Sequence, residues 1–139
     1  MDASREKRVR EIFNRANFIR DLGIELVRVD EGICETTLTP SERHRQQHGL
    51  IHAGVLATMA DHTAGGAAGS ILSGSGDVLS IEFKINFLRP AVADRLRCVG
   101  RVLRGGKNVV VAESEIFAEK DGQEKLVSKA TVTLAVREI

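Results

Sequence analysis

Residues 52–72 read His52-Ala53-Gly54-Val55-Leu56-Ala57-Thr58-Met59-Ala60-Asp61-His62-Thr63-Ala64-Gly65-Gly66-Ala67-Ala68-Gly69-Ser70-Ile71-Leu72. Apolar or tiny side chains fall on nearly every face of this segment and no proline interrupts it, which predicts a buried helix over 53–72. The alanines and glycines let neighbouring backbones come close. Gly65-Gly66-Ala67-Ala68-Gly69 lies inside this helical run rather than between a strand and a helix, so it reads as close packing and not as a dinucleotide loop. Asp61 is the only acid in the segment. A carboxylate in such surroundings loses much of its solvation unless it is paired or neutralised, so Asp61 is expected to be buried and to be there for its chemistry.

The rest of the chain reads outward from that helix. On the N-terminal side, Val9, Ile12, Phe13, Ala16 and Ile19 place one apolar stripe on a charged helix within residues 1–20, which should dock through that face. Asp21-Leu22-Gly23 breaks it. Strand-like runs follow at 24–30 and 33–39, joined at Glu31-Gly32, and a polar loop runs from Pro40 to Gln47. On the C-terminal side, Ser73-Gly74-Ser75-Gly76-Asp77 ends the helix. Four strands are expected at 78–88, 96–104, 108–118 and 125–137, with turns at Gly105-Gly106 and Asp121-Gly122. Alternation is clean in Ile81-Glu82-Phe83-Lys84-Ile85-Asn86-Phe87, which predicts one buried and one polar face. The order is helix, two strands, buried helix, four strands: an α+β chain whose antiparallel sheet wraps round one long central helix.

The chain has 139 residues, enough for one domain with an ordinary core, and no linker, repeat or low-complexity stretch divides it. Twenty basic and nineteen acidic residues give a net charge of +1, which removes the electrostatic case for nucleic acid or a membrane surface. Trp and Tyr are absent and Phe occurs five times, so there is no stacking platform for single strands. Cys34 and Cys98, far apart and without a CxxC, read as buried free thiols in a reducing compartment. No apolar signal core opens the chain and no run is long enough to span a bilayer. A cytoplasmic protein is expected.

Several site readings fail on pattern alone: there is no GxSxG, P-loop or HExxH. His44, His48 and His52 recur every fourth residue, which on a helix would gather three imidazoles for a metal. Pro40, two glutamines and Gly49 argue instead for a loop up to His52, and no nearby acid or Cys completes a ligand set. No metal is expected. Asp61 sits mid-helix, where backbone donors are already used, so a catalytic carboxylate fits better than a capping one. At the helix start, His52-Ala53-Gly54 offers free amides approached closely because the side chains are small, the recipe for an oxyanion hole.

Those two features cannot serve one substrate within one chain. Residues 52 and 61 are nine positions apart, or about 13 Å along a helix, whereas oxyanion donors and a general base must lie within about 3 Å of the same reacting group. Two antiparallel copies of the helix solve this. If the protein is an enzyme, its site lies at a twofold interface.

The pattern Gln46-x-x-Gly49-x-x-His52-Ala53-Gly54, then Asp61, then Ile81–Pro90 resembles the hotdog-fold acyl-CoA thioesterases of the phenylacetate-degradation (PaaI) type, over about residues 20–137. The resemblance implies the hotdog fold, here with an extra N-terminal helix, and hydrolysis of an acyl-CoA thioester. It implies that Asp61 acts as general base or nucleophile and that Gln46 orients the thioester or the attacking water. It implies further that His52 and the Ala53 amide contact the carbonyl, and that Ser80 positions water. Gly54 lies beside them, and Arg89 with the hairpin Arg104-Gly105-Gly106-Lys107 supplies cations and backbone for the coenzyme. Ala53 stands where the family usually has glycine, so its methyl crowds the carbonyl. No separate cofactor is expected, coenzyme A being part of the substrate, and the assembly implied is a homodimer at minimum and a homotetramer in many members. Two other readings compete: a non-catalytic acyl-CoA-binding module, which a retained Asp61 and Gln46 count against, and dehydratase chemistry, which His62 beside Asp61 keeps open. The identity of the acyl group is left open.

Overall fold

Six strands form one antiparallel sheet against one side of a central helix in the computed structural model, which describes residues 1–138. In chain order the elements are α1 (Ala3–Arg15), α2 (Asn17–Leu22), β1 (Glu25–Asp30), β2 (Ile33–Leu38), a short 3-10 turn (Glu42–His44), α3 (Ala53–Gly69), β3 (Gly76–Phe87), β4 (Arg95–Gly105), β5 (Val109–Lys120) and β6 (Gln123–Glu138). The sheet order is β1-β2-β4-β5-β6-β3, so β1 and β3 are its two edges. The α+β arrangement expected from the sequence, with one long helix on an antiparallel sheet, is the one observed.

Two helix boundaries differ from the sequence reading. The N-terminal segment is not one helix over 1–20: it breaks at Ala16, whose backbone is extended, into α1 and α2. Phe13 and Ile19 are both buried. Six residues apart, they would stand about 120° apart around a straight helix, so the break is what lets both enter the core. Ile12 lies outside that face and is 39% exposed. The central helix ends at Gly69 rather than at residue 72. Ser70 stops it by bonding back to the Ala67 carbonyl (2.7 Å) while its hydroxyl accepts the Gly32 amide of the β1–β2 turn (2.8 Å).

Small residues set the contact between α3 and the sheet. A Cβ on Gly100 of β4 would lie 2.8 Å from the Thr63 carbonyl oxygen, and one on Gly66 would lie 2.7 Å from Cys34 Sγ. Helix and strands therefore approach to backbone distance there. Polar stitches hold the buried seam: Thr36 and Thr63 share a hydrogen bond at 2.7 Å, and the Ser114 hydroxyl donates to the Ala60 carbonyl at 2.7 Å. Cys34 and Cys98 are both free and buried in this layer, as their isolation in the sequence suggested. The opposite face of the sheet is charged. There Arg97 of β4 bonds Glu35 of β2 and Glu124 of β6 while lying over the Phe117 ring.

The sheet leaves one side of α3 uncovered. Ala53, Gly54, Ala57, Thr58, Asp61, His62 and Gly65, spaced by three and four residues, are half-buried or exposed, while most of the helix is buried. Beside this strip runs the unpaired edge of β3. Its expected buried face is covered only in part: Ile85 packs against the core, but Ile81 is 60% and Phe83 42% exposed. The reason is topological, because β3 is flanked only by β6. Among the described residues no helix is long and apolar enough to cross a membrane.

Candidate active site

The expected functional residues fall into two clefts along the open strip of α3 and a third region beyond it. The first cleft, about 340 Å³, lies at the start of the helix and is lined by Gln46, His52, Ala53, Leu56, Phe87 and Arg89, among others. His52 is the N-cap: its Nδ1 accepts the Gly54 amide at 2.8 Å. The Val55 amide turns back to the His52 carbonyl at 3.0 Å. That leaves the exposed Ala53 amide as the first-turn donor with no protein acceptor among the described residues. The oxyanion donor expected at 53–54 therefore narrows to one amide, since Gly54 is occupied by the cap.

Gln46 is positioned by a tight loop. Its amide bonds the Leu50 carbonyl at 2.8 Å, and its side-chain oxygen accepts the His48 and Leu50 amides. The side-chain oxygen is thereby committed to the loop, while its NH₂ group keeps its donors free for a ligand in the cleft. Gly49 makes this loop possible, with φ at 81°. The three spaced histidines do not converge. His44 is buried, donates from Nε2 to the Leu22 carbonyl (2.6 Å) and accepts the Ser41 amide at Nδ1 (2.9 Å). It is a brace between the 3-10 turn and the end of α2.

The second cleft, about 280 Å³, opens halfway along α3 and contains Asp61 and Ser80. Asp61 is half-buried and not enclosed as its sequence context suggested, because the strip of α3 that carries it has no sheet over it. Its Oδ1 accepts the Ser80 hydroxyl at 2.6 Å. Ser80 reaches it because of a β-bulge between Ser80 and Glu82, which leaves Ile81 unpaired and shifts the register of β3 on β6. Next to Asp61, His62 packs edge-on against Phe13, with ring centroids 4.4 Å apart. Sequence reasoning gave His62 only a marginal role, and its burial under α1 was not legible from spacing.

The remaining cationic positions split. Arg89 lies at the first cleft and donates to the Leu126 carbonyl at 2.7 Å. Gly106 and Lys107 line a larger cleft with Ser73, Gly76 and Arg137 just past the C-terminal end of α3, and Arg104 is exposed on the adjoining stretch of β4. A 17-residue helix is about 25 Å long, so within one chain this hairpin is a helix length away from Arg89. The two clefts of the open strip are likewise separate: Ala53 and Asp61 are eight residues, or about 12 Å, apart along the axis. One chain presents a free amide donor and a carboxylate–hydroxyl pair on one face, but not to one ligand.

The thioesterase superfamily profile matches residues 48–125, a span that includes all of α3 with Asp61, and Ser80 on β3. A thioesterase family protein from Silicibacter pomeroyi superposes with a TM-score of 0.95 at 32% identity, covering 97% of this chain and 99% of that one. The Escherichia coli PaaI protein of the phenylacetic acid degradation operon shares the fold, with a TM-score of 0.85 at 24% identity over 94% of this chain and 91% of its own. A 1,4-dihydroxy-2-naphthoyl-CoA hydrolase of Listeria monocytogenes is 29% identical over 84% of this chain and 92% of its own length.

Proposed function

This chain belongs to the thioesterase superfamily and is a hotdog-fold thioester hydrolase; we propose that it hydrolyses acyl-CoA thioesters at the twofold interface of a homodimer. The observation that carries the reading is the placement of the free Ala53 amide and the Asp61–Ser80 pair in separate clefts of one uncovered helix face. Coenzyme A as the thiol part is supported by the CoA thioester named for the Listeria relative.

In the proposed arrangement two α3 helices lie antiparallel, so the start of one faces the middle of the other. The Ala53 amide, with the Gln46 side-chain NH₂ nearby, hydrogen-bonds the thioester carbonyl and holds the charge that grows on its oxygen. Asp61 of the partner, steered by Ser80, takes a proton from water as it attacks the carbonyl carbon, or attacks the carbon itself. The tetrahedral intermediate then expels the coenzyme thiolate, leaving the free acid where water attacked, or an acyl–Asp61 anhydride that water then hydrolyses to restore the carboxylate. The antiparallel packing brings the C-terminal end of one helix, with Arg104, Gly106 and Lys107, towards the start of the partner helix. There these residues would join Arg89 against coenzyme phosphates. The exposed apolar row on β3 supports edge-to-edge pairing of two sheets, since a long apolar edge strand is an open template for another strand. A tetramer made of two such dimers and a cytoplasmic location complete the proposal. The chemistry calls on side chains and water alone.

The deciding experiment is thiol release from aryl-, short- and medium-chain acyl-CoAs, run on the wild type beside Asp61→Asn. Turnover that collapses in the variant while acyl-CoA binding survives is expected. Full turnover by the variant removes Asp61 from the chemistry, and absence of turnover with every thioester overturns the acyl-CoA reading.

A further inference from the structure

Residue 53 brings two groups to the cleft at the start of α3. One is the free amide, and the other is the Ala53 methyl, exposed and part of the cleft lining. Both face the same way, because first-turn N–H groups and every Cα–Cβ bond of an α-helix lean towards its N-terminus. The next position is kept bare by the cap, since a Cβ on Gly54 would lie 3.0 Å from His52 Nδ1. The methyl of residue 53 is thus the side-chain group that a ligand on the free donor meets first.

Covalent geometry fixes that methyl about 2.5 Å from the donating nitrogen. A thioester carbonyl oxygen that accepts the N–H stands about 2.9 Å from the nitrogen, with its carbon about 1.2 Å beyond. One of the two groups attached to that carbon then passes the methyl. Ile51, Leu56 and Phe87 add further apolar wall, and the whole cleft is only about 340 Å³, so an added carbon there has little room to shift aside. The carbonyl carries sulfur on one side and the acyl α-carbon on the other. In every coenzyme thioester the sulfur bears a single methylene, whereas the α-carbon bears a variable number of carbons. Branching at the α-carbon is the property that a methyl in this place can read.

We propose that the Ala53 methyl is a specificity-determining group, which faces the α-carbon of the acyl group and selects thioesters unbranched at that carbon. The inference rests on the thioesterase reading above and deepens it to a feature of the acyl group. Attack makes the carbonyl carbon tetrahedral, so crowding at its neighbour persists in the transition state and lowers kcat/KM.

The test compares kcat/KM for matched pairs: hexanoyl-CoA beside 2-methylhexanoyl-CoA, and phenylacetyl-CoA beside 2-phenylpropanoyl-CoA. Both pairs are run on the wild type, Ala53→Gly and Ala53→Val. A branched acyl group is intrinsically slower to react, but that factor is the same for all three proteins and cancels between them. The ratio of unbranched to branched is expected to fall about tenfold in Ala53→Gly, the worth of one methyl group in a close-fitting site. In Ala53→Val it should rise. The two variants move the ratio in opposite directions, so the test stands on either one. A ratio unchanged in both variants overturns the proposal, as do branched thioesters that stay uncleaved by Ala53→Gly. So does an equal gain for both members of a pair, which would set the methyl against the coenzyme side. None of these touches the thioesterase reading while the unbranched parents turn over. A wild type that cleaves neither parent overturns both.

Discussion

The Ser80 hydroxyl donates to the Asp61 carboxylate across 2.6 Å, tying the middle of α3 to the bulge of the edge strand β3. This bond holds one carboxylate rotamer on a face that solvent and substrate can both reach. Ser80→Ala leaves the carboxylate in place but frees it to turn. Thiol release is expected to fall about tenfold in kcat with little change in KM, because loosening a positioned group costs chemistry more than binding. Unchanged kcat would make the pair a surface contact only.

Ala53→Pro isolates the open amide. Proline is well accepted at the first position of a helix, where the missing N–H has no intrahelical partner, and His52 already has the extended backbone that a following proline requires (φ −63°, ψ 137°). The variant should keep its thermal midpoint and lose about a hundredfold in kcat, the usual worth of one oxyanion donor. Full activity would exclude the Ala53 amide from the chemistry.

Mixing two inactive variants tests whether the site is shared. A heterodimer of Asp61→Asn and Ala53→Pro chains has one site spoiled twice and one site intact. With random exchange about half the dimers are mixed, so roughly a quarter of wild-type activity should return. No recovery, with exchange verified by mass, would place donor and carboxylate in the same chain.

Gly100 and Gly66 both lie where α3 meets the sheet, yet their alanine variants should differ. At Gly100 the new methyl would strike the Thr63 backbone at 2.8 Å, so the helix must lift off β4. At Gly66 it would strike the Cys34 thiol at 2.7 Å, and the gain in helix propensity, about 1 kcal/mol, offsets part of the crowding. Urea unfolding should show Gly100→Ala losing about 2 kcal/mol or more and Gly66→Ala losing less. The reverse order would mean that the helix has room to move over β4.

The buried thiols predict a loss of stability in alkali. Burial pushes Cys98 up to about 12, three neighbouring hydroxyls opposing, and raises Cys34 as well. Unfolded thiols ionise near about pH 8.5, so above that pH the unfolded chain releases protons that the native state keeps. Stability is therefore complete below about pH 8.5 and falls as pH rises, by about 1 kcal/mol per thiol at pH 9.5. Urea midpoints under reducing conditions at pH 7.5 and 9.5 would show it, and Cys98→Ala should flatten the slope. A slope untouched by that change would assign the effect to other groups.

Much of the fold is legible in the chain itself. The Ala/Gly run with its lone acid gave the buried helix, and strict alternation and the Gly turns gave the strands. What spacing misplaced were features that depend on neighbours distant in sequence. Ile81 and Phe83 alternate like a covered strand but lie at an edge, because β6 flanks β3 on one side only. Asp61 looks buried in its helix but faces the side the sheet does not reach. Gly54 looks like an oxyanion donor but is taken by the His52 ring, a contact that depends on one rotamer.

The sequence by itself determined the element types and put the His52-Ala53-Gly54 segment and Asp61 at the start and middle of one helix, because helical and strand periodicities and small-residue packing are local properties of the chain. Only the tertiary structure decided that Ser80 meets Asp61, that Arg8 clamps α1 over His62, and that Arg89 and Lys107 stand at opposite ends of α3. The first two are contacts between residues far apart in sequence, and the third is a separation that only the packed sheet reveals. Strand order, a single bulge and one helix break set them, and none of these leaves a periodic mark in the chain.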